Sequence, residues 1–255
     1  MIMSSQYLVA SGLGILVFLF ILVTTYYSLP PTMNLLGAKT PSKDSYTIAI
    51  YGDSMVDTMG ESLEYLSIAL RKKYPNTGFH YYNYGIGGQN VEQGLLRFHS
   101  PFSYKTRSFS SLSSHHPDVI IMGSFAYNPF SPHFRDKHWR VLSQLVKEAQ
   151  NTGADVYMLA EIAPLRNDFG KGPNGVNWPE ELAQKHSAHI VEQLENVIFL
   201  AIDHLKVPLI NAYSISKIDG KFGNKRFVDP NDNIHPSVAG HKLMAELIAS
   251  TIKLR

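Results

Sequence analysis

Cysteine is absent from the 255 residues. That excludes a disulfide framework, a thiol nucleophile, a thiolate metal site and a lipidated cysteine. Basic runs are lacking as well. Lys and Arg number 23 against 21 Asp and Glu, a net charge of +2, so nucleic acid has no electrostatic footprint and is not expected as a partner. Repeats and low-complexity tracts are missing. His186 and His189 share a helix face, but neither a nearby cysteine nor a His-Glu-x-x-His frame supports zinc, and no metal site is expected.

Charge is missing from one long stretch. Met1 to Ala38 carries no charged side chain, and the first is Lys39. Tyr7 to Val23 is almost wholly apolar, and Thr24 to Leu29 extends it weakly. About 20 such residues cross a bilayer. Tyr7, Tyr26 and Tyr27 suit the two interfaces. A cleaved signal peptide fits less well, because its start would carry Lys or Arg and a small-x-small site would follow. Residues 1–29 are therefore expected to form a transmembrane anchor, ended by Pro30-Pro31. Residues 30–45 then read as a linker and 46–255 as one domain.

What the chain does have is alternation. Short apolar runs at Thr47–Tyr51, Phe79–Tyr84, Val119–Met122, Val156–Ala160 and Val207–Ile210 read as strands. Helical patterns separate them. Thr58-Met59-Gly60-Glu61 looks like a capping box, followed by a stripe of Leu63, Leu66 and Leu70, with Lys72-Lys73 near the helix end. Arg135–Asn151 places Val141, Leu145 and Ala149 on one face. Pro179–His204 turns Leu194, Ile198 and Ile202 inward, and Pro236–Ile252 closes the chain. Continuous apolar strands alternating with helices predict a parallel five-stranded sheet covered on both sides, a doubly wound three-layer α/β fold. Ligands bind such sheets at the carboxyl ends of the strands.

Ser54 lies at one of those ends. It follows the first strand through Gly52, which lets the chain turn sharply and lift the hydroxyl. A free serine is a weak nucleophile and needs a base. His235 is the natural one, since imidazole accepts and returns a proton near neutral pH. Asp232, three residues earlier, can orient that ring, and Pro236 suits the first position of the closing helix. Acyl transfer also needs oxyanion donors. The Ser54 N–H, the glycine-rich turn Asn83–Gly88 and Asn128 after the third strand are available.

Ordered in this way, the motifs resemble the SGNH (GDSL-like) hydrolase family from about Tyr46 to Lys253. Gly52-Asp53-Ser54 is similar to its first block. Asn83–Gly88 is similar to the second, which implies Gly88 as an oxyanion donor. Asp232-x-x-His235 is similar to the last. The resemblance implies a flavodoxin-like fold and ester hydrolysis through Ser54, His235 and Asp232 with no metal or organic cofactor. The third block departs. The family pattern is Gly-x-Asn-Asp, whereas Phe125 stands here in the asparagine's place. Asn128 substitutes only if the loop bends differently, and losing such a donor costs about 100- to 1000-fold in rate.

Other residues read more plainly. Asp53 is a turn-former that bonds backbone N–H groups. The aromatics from Phe125 to Trp139 form either a wall over the site or ordinary loop packing. Asn167–Trp178 is a surface loop that could line the cleft. The expected protein is a membrane-anchored serine esterase acting on an acyl ester, such as an O-acetyl ester, of a small molecule or glycan, with the domain outside the cytoplasm. The same residues serve an O-acyltransferase or a lipid-active hydrolase. A non-catalytic glycan-binding module is the reading from another class.

Overall fold

The computed structural model describes residues 41–255. The expected anchor and all but the end of the expected linker lie outside the described residues. Among the described residues no helix is long and apolar enough to cross a membrane.

The chain runs β1 (Ser45–Gly52), α1 (Ser54–Asp57), α2 (Glu64–Lys73), β2 (Gly78–Gly85), α3 (Val91–Arg97), β3 (Phe102–Tyr104), β4 (Arg107–Phe109) and β5 (Val119–Gly123). It continues through α4 (Arg135–Asn151), β6 (Asp155–Ala160), α5 (Glu180–Phe199), β7 (Leu209–Asn211), α6 (Ala212–Ser216) and α7 (Val238–Thr251). Five strands form one sheet in the order β2-β1-β5-β6-β7. Every pairing in it is parallel. Counting only these strands, the order is 2-1-3-4-5, that of flavodoxin-like sheets. Strand β5 is buried along its whole length, as continuous Val-Ile-Ile-Met implies for a strand covered on both faces. Helices α2 and α7 pack together, and α4 packs on both α3 and α5.

Local expectations fail in instructive places. The capping box at Thr58–Glu61 does not form. Thr58 instead caps the end of the short α1, and α2 starts only at Glu64 behind Leu63, whose φ of 49° lies in the left-handed region. A true capping box sits at Asn90 and Gln93, opening α3. Lys73 serves a different helix from its own. Its Nζ donates to the carbonyls of Ala249 and Ile252 at 2.8 Å each, satisfying the orphan end of α7. Helix α5 stops at Phe199 and loosens into a π-turn over Leu200–Leu205. That widening rotates the stripe, so Ile202 is 51% exposed rather than inward. The last strand is Leu209–Asn211, shifted from the expected Val207–Ile210. The antiparallel hairpin of β3 and β4 has strands too short to be read from periodicity.

One close approach fixes the floor of the site. A Cβ on Gly85 would lie 2.1 Å from the Asp57 nitrogen and 2.6 Å from the Val56 carbonyl carbon. Both obstacles are backbone and cannot swing aside. Gly85→Ala is expected to destabilise the domain by at least the overpacking cost of about 1–3 kcal/mol. A lower urea midpoint at unchanged slope would show it; an unchanged midpoint would contradict this packing.

Candidate active site

The sheet reverses its winding between β1 and β5, because β1 goes on to β2 on one side while β5 goes on to β6 on the other. A crevice opens beyond the carboxyl ends of strands at such a point. Two segments meet there: Gly52-Asp53-Ser54 after β1, and Ser124–Asn128 after β5.

The first segment turns tightly. A Cβ on Gly52 would lie 2.4 Å from Val56 Cγ2, so only glycine admits α1 this close. Asp53 caps that helix, its Oδ1 accepting the Met55 N–H at 3.0 Å. This is the turn-forming role read from the sequence. Ser54 becomes the first helical residue and is half-buried. Asn83 in β2 locks the far end of α1. Its amide donates to the Val56 carbonyl at 2.9 Å and the Gly60 carbonyl at 2.8 Å, and its Oδ1 accepts the Gly85 N–H at 2.8 Å.

The second glycine-rich turn flanks the serine. A Cβ built on Gly87 would lie 3.8 Å from the Ser54 Cβ and 2.8 Å from the Tyr104 hydroxyl oxygen. The Gly87 N–H donates to that hydroxyl at 3.1 Å. Gly88 has φ of 75° and open space around it. Neither its N–H nor that of Ser54 meets an acceptor among the described residues.

Third-block residues arrive by an unexpected path. Phe125 adopts a left-handed φ of 56° and buries its ring. The bend brings the Asn128 amide to Asp53, with Nδ2 donating to Oδ2 at 3.0 Å. A carboxylate only accepts, which settles which end of the amide faces it. Burial raises the Asp53 carboxyl above its ordinary range, against the opposing pull of the Met55 N–H, the Asn128 amide and the nearby His235. Phe125 and Tyr127 belong to the core, 0% and 4% exposed. They are packing residues, not a wall over the site.

Asp232 and His235 pair directly. Asp232 Oδ2 lies 2.6 Å from His235 Nδ1. Its Oδ1 accepts the backbone N–H groups of Ile234 at 2.8 Å and His235 at 3.0 Å. Burial works to raise this carboxyl, but the hydrogen bonds from the His235 ring and backbone and from Ile234 outweigh it, and the net shift is downward. The Asn167–Trp178 loop braces this turn from outside. Asn233 donates to the Lys171 carbonyl at 2.7 Å, and the Asn174 N–H donates to the Asn231 carbonyl at 2.8 Å. Among the described residues Ser54 Oγ and His235 Nε2 make no hydrogen bond to each other, and catalytic contacts of this kind commonly tighten only around substrate.

Three contributors escape sequence reading. Arg97 is 8% exposed, and one terminal nitrogen donates to the carbonyls of Gly52 at 2.8 Å and Tyr84 at 3.0 Å, tying the ends of β1 and β2. An arginine in an amphipathic helix ordinarily reads as surface. Tyr104 comes from the unforeseen hairpin and donates to Asp57, which also binds Lys105 and Arg107. Glu161, next after β6, is 0% exposed. His186 and His189 point to the Tyr127 carbonyl and the His133 ring respectively. Among the described residues no three His, Asp or Glu side chains gather to hold a metal.

Comparison with known proteins converges on one family. The model of the GDSL-like lipase/acylhydrolase family matches residues 48–248. A GDSL-like lipase from Bacteroides thetaiotaomicron shares the fold at a TM-score of 0.58 and 17% identity, over 83% of this chain and 89% of that one. A lipase/acylhydrolase from Enterococcus faecalis gives 0.56 and 21%, over 82% and 95%. A catalytic mutant of an acetylxylan esterase from Geobacillus stearothermophilus gives 0.56 and 14%, over 82% and 95%. No match was found among curated protein sequences.

Proposed function

From the premise that this chain belongs to the GDSL-like lipase/acylhydrolase family, and is thereby a carboxylic ester hydrolase, we propose that Ser54, His235 and Asp232 are its catalytic triad. The observation that carries this is the Asp232–His235 contact of 2.6 Å. The carboxylate holds the ring with Nδ1 protonated, which leaves Nε2 free to act as a base. His235 takes the Ser54 proton as Oγ attacks the ester carbonyl. The negative charge that develops on the carbonyl oxygen meets the N–H groups of Ser54 and Gly88 and the second amide hydrogen of Asn128, three donors with no acceptor among the described residues. The tetrahedral adduct collapses, imidazolium protonates the leaving alkoxide, and an acyl-Ser54 ester remains. Water, deprotonated by His235, then releases the acid.

The proposed substrate is a short acyl ester, such as an O-acetyl group, on a polyhydroxylated alcohol. The Tyr104 hydroxyl and the Ser54 Cβ both lie close to where a Gly87 Cβ would stand, and that phenol is backed by Asp57, Lys105 and Arg107. That is a hydrogen-bonding wall rather than an acyl trough. Acetylxylan esterases are among the proteins with this fold. The full chain in detergent is expected to release acetate from acetylated xylan and to cleave p-nitrophenyl acetate at least 10-fold faster than the palmitate, by kcat/KM. A preference for the palmitate would overturn the short-acyl reading in favour of a lipid-active hydrolase. Acetyl transfer to an added sugar without free acetate would point to an O-acyltransferase on the same residues.

A further inference from the structure

Phe125 occupies the family asparagine's place, yet Asn128 still reaches Asp53. Something must hold a non-glycine residue in a left-handed bend, a strained conformation that persists only where its surroundings impose it. The candidate is a buried carboxyl that the catalytic steps leave unused.

Glu161 and Ser124 lie immediately beyond neighbouring strands, where Gly123 pairs with Leu159. Glu161 Oε1 accepts the Ser124 N–H at 2.9 Å, and Oε2 contacts the Ser124 hydroxyl. That hydroxyl oxygen accepts the Ala126 N–H at 3.0 Å. One carboxyl therefore pins both residues that flank Phe125. Gly123 makes room, since a Cβ there would lie 2.9 Å from Glu161 Oε1. His138 completes the clamp through the Ser124 carbonyl at 2.8 Å, and the Tyr127 hydroxyl donates to the Ile162 carbonyl at 2.8 Å.

We infer that Glu161 is a positioning residue: through Ser124 it sets the bend at Phe125 that carries Asn128 to Asp53 beside the nucleophile. This deepens the proposed function and rests on Asn128 being an oxyanion donor.

Among the described residues Glu161 has no cationic partner. Burial, and then the negative charge of Asp53, push its carboxyl up to about 8. Burial puts the Tyr127 phenol well above its ordinary range and brings His138 down to about 4. Asp53 in turn feels the charges of His235 and Arg97. Glu161 is thus neutral at pH 7. Ionising it places a second negative charge beneath the site that must stabilise an oxyanion, so kcat falls as pH rises through about 8.

The test measures kcat and KM across pH for Asn128→Ala, Glu161→Gln, Glu161→Leu and Ser124→Ala. Glu161→Gln preserves both contacts, so it retains kcat within a few-fold at pH 7 and loses the alkaline decline. Glu161→Leu breaks the clamp and lowers kcat by about 100- to 1000-fold at little change in KM, like Asn128→Ala. The double variant Glu161→Leu/Asn128→Ala loses no more than either single one, since both remove the same donor. If Glu161→Leu does not fold, Ser124→Ala, which exposes no buried charge, decides by lowering kcat at least 10-fold. Full kcat in folded Glu161→Leu or in Ser124→Ala, additive losses in the double variant, or an alkaline decline that survives Glu161→Gln overturns the inference. Full kcat in Asn128→Ala overturns instead the oxyanion assignment beneath it, and leaves the triad untouched.

Discussion

Ser54→Ala is expected to remove ester hydrolysis, with kcat down by about 10,000-fold or more. The side chain is half-buried at the head of α1 and makes no hydrogen bond among the described residues. Asp53 still caps the helix through Met55, and Asn83 still locks its end. The variant therefore keeps its fold and melting temperature, and the loss is one of chemistry. A fluorophosphonate probe separates this from trivial inactivation, labelling the wild-type chain covalently and the variant not at all. Labelling of folded Ser54→Ala, or activity within 10-fold of wild type, would assign the nucleophile to another residue.

Asp232→Asn is expected to cost about as much, roughly 10,000-fold in kcat, for a subtler reason. Asp232 Oδ1 takes two backbone N–H groups, from Ile234 and His235. An amide can satisfy both only with its oxygen on that side. Its NH2 group then faces His235 Nδ1, where the carboxylate had accepted. The ring must offer a lone pair at Nδ1 and carry its proton on Nε2, the nitrogen needed as a base. The turn is kept and the tautomer is wrong. KM is expected to change little, because no bond to substrate is removed. A variant with more than a tenth of wild-type kcat would show that Asp232 holds the turn without tuning the base.

The two halves of the site differed in how far they could be read. Asp232 and His235 are three positions apart, and their contact lies within one turn. Gly52, Asp53 and Ser54 are consecutive, and the steric need for Gly52 comes from Val56 only four residues on. Such short spacings leave a local signature. The third block left a less legible one. Phe125 stands in the asparagine's place, and the aromatics after it read equally as a wall or as packing. Burial made Phe125 and Tyr127 core, and the bend at Phe125 brought Asn128 to Asp53. Thr58–Glu61 shows the converse, a capping signature overridden because the chain there is spent turning from α1 into α2.

By itself the sequence determined the five strands of the main sheet to within a few residues, most of the helices, the family, and the local geometry of the Gly52–Ser54 turn and the Asp232–His235 pair, because each depends on periodicity or on residues within a few positions. Tertiary structure alone decided which strand ends became neighbours. Setting β1 against β5 brought Asp53 to Asn128 across 75 positions, and setting β5 against β6 brought Ser124 to Glu161 across 37. A hydrogen bond between distant residues exists only once the sheet has ordered its strands, and a lone glutamate or arginine carries no local mark of the burial that gives it its role.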